Sequence, residues 1–253
     1  MSWATRRRTL YLSIFGGVAA VALAFVLVPI FYRAPTCADG AQNGDERDVD
    51  CGGSCARFCA FEVASPTVSF ARTLPVARGV YNVVAYIVNP NVGASADRVP
   101  YSVRVFDEEN VLIAERKGET FIAASGVNPI FEPSIVAGER TPARTFFEFT
   151  GPVVWERSAL PAQPFAVRSM ELSGEESAPR LTAEVENLLA ERLDAVEVVA
   201  TLFDPEGNAV ATSRTVIETL RKHAVVPVVF TWPAPFARPV ARIDVMPRAR
   251  GGK

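Results

Sequence analysis

The stretch VFDEENVLIA, Val105 to Ala114, decides the fold, because the chain writes it a second time as LFDPEGNAVA, Leu202 to Ala211. In each version an apolar strand ends in Phe-Asp, crosses a short run of turn-forming residues and leaves as another apolar strand. That is the pattern of a hairpin. The residues before the first version alternate as well: Tyr101, Val103 and Val105 share one face, the period of a half-buried strand. Further upstream, YNVVAYIVNPN sets Val83, Ala85 and Ile87 on one face, and PRLTAEVENLL sets Leu181, Ala183 and Val185 on one face before Asn187. Downstream, VNPIFEP parallels VVPVVFTWP, and RTFFEF parallels ARIDVM. Matches in one order, about 97 residues apart, indicate a duplicated domain.

No stretch after Cys59 sustains a helical period. NLLAERLDAVEVV comes nearest, and its copy contains Pro and Gly, so it reads as a loop entering a strand. The expected fold is therefore mainly β. Two tandem immunoglobulin- or fibronectin-like β-sandwiches, of about seven short strands each, should occupy 61–150 and 165–247. A Pro-rich linker over 151–164 joins them, and a flexible basic tail, 248–253, follows.

The N-terminal part is of another kind. Leu10 to Tyr32 runs without a charge, long enough for a helix to cross the hydrocarbon core. Arg6, Arg7 and Arg8 precede it and only Arg33 follows closely, which predicts a cytoplasmic tail over 1–9, a transmembrane helix over 10–32 and everything later outside. A cleaved signal peptide is the competing reading. Its apolar region is usually shorter and ends in small residues, whereas FYRAPTC supplies bulky, charged and proline positions. The expectation is an uncleaved single-pass anchor in the cell membrane, N-terminus inside and C-terminal domains extracytoplasmic.

Between anchor and sandwiches lies a collar, 37–59, reading CADGAQNGDERDVDCGGSCARFC. It holds all 4 cysteines of the chain. They fall on the outer side, where disulfides persist, and the segment has too few apolar groups to fold around a core. Two disulfides among Cys37, Cys51, Cys55 and Cys59 are expected, with Cys37 bonded to one of the later three; spacing does not choose which. Zinc would need thiolates that this compartment disfavours, and CGGSCARFC is a decoy for an iron–sulfur site. Calcium fits better, with Asp39, Asn43, Asp45 and Asp50 as hard oxygen donors and Gly40 and Gly44 allowing tight turns. The other reading is a plain disulfide-knotted spacer, no cofactor being required.

Two resemblances follow from these residues. The collar resembles the Asp/Asn/Gly-rich calcium repeats of the thrombospondin type 3 kind. It is also similar to a C-DG-x-x-NGDE-x-DVDCGG-x-C module that recurs beside membrane anchors or sorting signals. The order Val-x-Ala-x-Ile-x-Asn, then Val-x-Val-Phe-Asp, then the turn Ala137-Gly138-Glu139 before Phe146 and Phe147, resembles FxLYD-type domains. The second repeat keeps Asn187 and Leu202-Phe203-Asp204 but lacks the Ala-Gly-Glu turn. That resemblance implies small extracytoplasmic β-sandwiches of bacterial envelopes, a family with no common chemistry to carry over.

Composition narrows function further. Lys+Arg 26 against Asp+Glu 28 leaves no basic field to recommend nucleic acid as a partner. The 1 histidine, His223, weighs against imidazole catalysis and reads as a surface loop residue. The acidic spots GEES and EEN read as solvated turns. Phe146 and Phe147 are adjacent, so only one can point into a core. The expected function is a non-enzymatic, membrane-anchored cell-surface binding or structural protein, whose partner is a protein or cell-wall glycan on the outer side. The second expectation is an accessory subunit of an envelope assembly (pilus, secretion or cell-wall complex), in which Gly16, Gly17 and the nearby alanines would make helix contacts.

Overall fold

A computed structural model describes residues 3–31 and 35–251. Tyr32 at the end of the expected span lies outside the described residues, as do Arg33 after it, the first two residues of the expected cytoplasmic tail and the last two of the basic tail. The chain divides into two compact units, Met1–Cys55 and Ala56–Lys253.

In the first unit, α1 (Trp3–Phe31) is apolar on every side through its middle, as a helix surrounded by lipid would be and a helix packed on one face would not. Its stretch Trp3–Leu27 is long and apolar enough to cross a membrane. The helix begins before the expected boundary: Arg6, Arg7 and Arg8 belong to its first turns, and the Arg7 guanidinium lies over the Trp3 ring at 4.1 Å.

The second unit is antiparallel β throughout. Its strands are β1 (Thr67–Ala77), β2 (Val80–Asn89), β3 (Ala94–Phe106), β4 (Leu112–Ile122), β5 (Gly126–Val136), β6 (Arg144–Phe149) and β7 (Glu156–Arg157). The second series is β8 (Phe165–Ser173), β9 (Arg180–Asn187), β10 (Leu193–Phe203), β11 (Ala209–Leu220), β12 (Val225–Thr231) and β13 (Arg242–Arg248). The sheets are β1-β2-β5 and β4-β3-β6 in the first series, then β8-β9-β12 and β11-β10-β13 in the second. The topology is therefore written twice, with β1 to β6 matching β8 to β13. Ala85 pairs Ile130 as Ala183 pairs Val228, and Val105 pairs Ala114 as Leu202 pairs Ala211. One detail of the sequence alignment shifts: Arg144 and Arg242 both sit opposite the Phe before the turn, so RTFFEF matches the segment starting at Arg242, one residue beyond Ala241.

Each sandwich has its own core. Val83, Ala85 and Ile87 pack against Val103, Val105, Ile122 and Phe147 in the first. Leu181, Ala183 and Val185 pack against Val198, Ala200, Leu202 and Phe230 in the second. Burying each large side chain is worth about 1.5–3 kcal/mol. Phe147 points inward and Phe146 outward at 53% exposure, as adjacent positions on a strand require.

Polar fastenings are duplicated too. The Asn89 amide donates to the carbonyls of Ala94 and Ala123, and its oxygen accepts from the Asn91 backbone. The Asn187 amide donates to the carbonyls of Glu191, Leu220 and Arg221, and its oxygen accepts from the Leu189 backbone. At the hairpin turns Asp107 accepts from the Val111 amide and from Arg140, while Asp204 accepts from the Asn208 amide and from Arg238.

Two expectations are corrected. Residues 151–164 are not a free linker: Trp155 lies in the first core, Leu160 lies in the second, and β7 pairs with Ala94 and Ser95 of β3. The Phe58 amide donates to the Trp155 carbonyl and the Arg157 amide to the Ala56 carbonyl, so the chain entering the first sandwich is zipped to the chain leaving it. Nor does a flexible tail begin at Arg248. That residue ends β13 and is only 7% exposed, because an acidic partner and a ring are waiting for it, and Ala249 is buried as well.

Candidate functional site

The collar is built from turns. Among the described residues no cysteine is free; Cys37 bonds Cys55, and Cys51 and Cys59 are also disulfide-bonded. Gly53 has φ +57, and a Cβ there would lie 2.0 Å from the Asp45 carbonyl oxygen, so only glycine allows the chain to fold this tightly. Three of the four proposed calcium donors accept hydrogen bonds from the loop, while the Asn43 Oδ1 is buried without a partner. Asp39 accepts from the Ala41 amide and from the Asn43 side chain, Asp50 accepts from the Gly40 amide with both oxygens, and Asp45 accepts from the Ser54 hydroxyl at 2.7 Å. The Ser54 bond is the main cause holding the Asp45 carboxyl below the usual range. Among the described residues, the donor group gathered within 4.8 Å is Cys37, Glu46 and Cys55, and its two sulfurs are joined to each other rather than available as thiolates.

His223 stands exposed at φ 52 in the turn between β11 and β12. Ser125, φ 55, holds the matching place between β4 and β5, so that position is a turn position in both copies.

The larger feature is the junction between the sandwiches. The outward faces of β1-β2-β5 and β11-β10-β13 close on each other through Leu74, Val84, Tyr86, Phe131, Val199 and Phe203. The Phe70, Tyr86 and Phe203 rings form a cluster with centroids 4.5–6.2 Å apart. Polar groups rim the apolar centre: Tyr86 donates to Asp244 at 3.4 Å, and the Arg214 guanidinium sits 5.5 Å above the Phe131 ring. Burial pushes the Tyr86 hydroxyl well above its ordinary pKa.

Arg248 closes one end. It bonds Glu197 at 2.8 Å within its own sandwich, donates to the Phe121 carbonyl and Thr120 hydroxyl of the other, and stacks on the Phe121 ring at 4.4 Å. Burial lowers its pKa, and the Glu197 charge opposes that effect. Arg250 pairs with Asp97 at 2.7 Å. Beside them opens a cleft of about 280 Å³ lined by Ser95, Asp97, Phe121, Ser125, Arg157 and Arg248, with both tail arginines committed to carboxylates. This arrangement holds two domains as one body; hydrophobic interfaces between domains suppress relative motion.

A signal for the junction was present in the sequence. β9 reads LTAEVEN, apolar on one face only, whereas VVAYI in β2 and VVATLF in β10 are apolar on both. A continuous apolar run marks a strand covered on both faces.

No protein-family model matches the chain, and neither does any curated protein. Among solved structures it is similar to red sea bream transglutaminase (12% identity, TM-score 0.25, 73% of this chain and 29% of that one). It is likewise similar to a glycoside hydrolase family 2 β-glucuronidase (11%, 0.24, 67% and 24%) and to a Bacteroides uniformis β-glucuronidase (14%, 0.23, 68% and 26%). The chain spans less than a third of each of these longer proteins. Likeness at this level assigns no activity.

Proposed function

We propose that this is a single-pass membrane protein with a cytoplasmic N-terminus, which displays a fused pair of β-sandwiches on the cell surface as a binding or structural element. The observation that carries the reading is the order of α1 and the collar: an apolar helix long enough to cross a membrane, followed directly by a segment whose cysteines are all oxidised. Disulfides persist outside the reducing cytosol, so an oxidised collar supports placing the sandwiches on the outer side. The collar then acts as a spacer, and the partner is a protein or cell-wall glycan on the outer side. The hydrogen bonds already made by Asp39, Asp45 and Asp50 favour a plain spacer over a calcium module.

The test is fractionation of cells expressing the full chain. The protein should stay with membranes through a high-salt wash, keep its original N-terminal residues, and lose its sandwiches to protease added outside intact cells. A mature N-terminus inside or after α1 would replace the anchor with a signal sequence; protection from external protease would reverse the topology.

A second reading, an accessory subunit of an envelope assembly, draws on Gly16 and Gly17, where an added Cβ would meet nothing within 4 Å. Such an open small-residue surface lets another helix approach closely. Crosslinking from these two positions in membranes separates the readings.

A further inference from the structure

The loops of the two sandwiches gather at two ends, and the ends differ. Arg248 at the close of β13 reaches Phe121 at the close of β4, and Arg250 reaches Asp97 near the start of β3, so these loops share one end. The chain enters the second unit there: Asn91, in the turn between β2 and β3, exchanges two hydrogen bonds with the Ala64 backbone. At the opposite end a cleft is walled by the β1-β2 turn, with Arg78 and Gly79, and by the segment after β12, with Trp232 and Phe236.

Charge separates the two ends. At the entry end Arg57, Arg157, Arg192, Arg221 and Lys222 stand against Glu62, Glu156 and Glu191. Asp194 takes up Arg192, but Arg57, Arg221 and Lys222 are exposed. The far end carries the acidic runs Asp107-Glu108-Glu109, Glu175-Glu176 and Asp204 to Glu206 together with Glu139, and its Arg140 and Arg238 are bonded to Asp107 and Asp204. The basic end also bears apolar tips. Val92 is 84% exposed and Phe61 67%, and Leu188, in the copy of the Val92 turn, is 45% exposed. Val92 is held out rather than loose: the Asn91 amide donates to the Asn89 side chain on one side of it, and the Ser158 amide donates to the Gly93 carbonyl on the other.

We propose that the entry end lies against the anionic headgroups of a lipid bilayer, with Val92, Phe61 and Leu188 entering the headgroup layer and Arg57, Arg221 and Lys222 meeting phosphate. This docking rests on the reading of α1 as an anchor, since the bilayer that holds α1 is then joined by the chain to this end and not to the far one. Basic groups around apolar tips are the make-up of interfacial surfaces, in which apolar side chains reach the acyl boundary and Lys or Arg are drawn to anionic lipid. The same lipid repels the acidic far end, so the charge of the pair selects its orientation. Contacts that are weak one by one suffice here, because a tethered surface meets lipid at high local concentration.

The test reconstitutes the full chain, disulfides intact, in vesicles of phosphatidylcholine alone or mixed with phosphatidylglycerol. V92C and, at the far end, E108C each carry a fluorescent dye, and phosphatidylcholine spin-labelled on its headgroup serves as quencher. Flotation with the vesicles checks the anchor independently. In the mixed vesicles the dye on V92C should be quenched and the dye on E108C should not. R221E/K222E should cut the V92C quenching by about half or more, as should high salt, while flotation and the melting temperature stay those of the parent. A chain that floats yet shows V92C no more quenched than E108C would overturn the inference and leave the anchor standing. Quenching indifferent to phosphatidylglycerol and to R221E/K222E would also overturn it, since the tether alone would then explain the proximity. A chain that fails to float would overturn the anchor reading, and the docking with it.

Discussion

Phe106 and Phe203 occupy the same position in the two sandwiches, each one residue before a buried turn aspartate, yet Phe203 is 2% exposed and Phe106 is only half-buried. Much beneath them matches: strand order, the pairing beside the hairpin turn, the asparagine that gathers carbonyls, and the arginine that reaches back to the aspartate. The copies differ in what their outward faces meet. The internal fastenings answer to the fold and are kept in both halves. The faces differ: among the described residues the Phe203 face is covered by the other sandwich, and the Phe106 face carries the exposed Phe146 and Leu112. A repeated domain thus separates the residues that make a sandwich from those that join it to something else.

The sharpest way to break this comparison is to truncate both rings. Phe203→Ala removes a ring from the centre of the junction and should cost about 3–5 kcal/mol. Phe106→Ala removes a ring that is only partly exposed and has no junction around it, and should cost less, about 1–2 kcal/mol. Urea unfolding of the two variants checks the difference; equal losses would mean that the junction does not distinguish the copies.

The asparagines should behave in the opposite way, alike in both halves. Asn89 is 1% exposed and Asn187 0%, and each gathers carbonyls from two chain segments. Replacing either with alanine strands buried acceptors, at about 2–3 kcal/mol each. If only one substitution is damaging, the fastenings are not equivalent and the duplication is one of topology alone.

Acid offers a milder probe. Burial by itself would raise the Asp204 pKa, but the bonds from Arg238 and Asn208 outweigh it and hold the carboxyl below its ordinary value of 3.8. Burial is likewise outweighed at Asp107, by the Val111 amide and Arg140. A carboxylate whose folded pKa is depressed contributes stability that is complete above its unfolded value and is lost as pH falls through the folded one. The gap in urea midpoint between the parent and the double variant D107N/D204N should therefore be constant near neutrality and shrink below about pH 4. A gap that stays open in acid would remove these ionised carboxylates from the account.

Much of this was legible because alternation is a local property. Val83, Ala85 and Ile87 declare their shared face within five residues, and the Phe-Asp turn declares its hairpin. What resisted reading was whatever depended on a distant partner. Trp155 and Leu160 sit in a Pro-rich stretch without a period, and each is buried only because a different sandwich core lies beside it. Arg248 looks like one charge of a basic tail until Glu197 and Phe121 are brought to it from elsewhere in the chain. The doubly apolar β2 and β10 did signal a second covered face, and the inward parity of Val83 and Val198 masked it.

The smallest expected effect belongs to the collar, which has no copy to be compared with and so must be tested on its own chemistry. Its carboxylates could recruit calcium or could simply serve the loop, and these roles compete for the same oxygens. Asp50 spends both oxygens on the Gly40 amide, Asp39 accepts from Ala41 and Asn43, and Asp45 accepts from Ser54. The disulfide between Cys37 and Cys55 then holds the ends of the segment together, a constraint worth about 3 kcal/mol for a loop of this order in the simplest chain-entropy treatment. With the loop closed covalently and its acids already hydrogen-bonded, an ion has little left to order. Trypsin cleavage after the exposed Arg47 should therefore proceed at the same rate, within about twofold, in millimolar calcium and in chelator. Reduction of the disulfides should accelerate it under both conditions. Protection of Arg47 by calcium alone would reverse the assignment, and would mean that these acids give up their loop hydrogen bonds to gather around an ion.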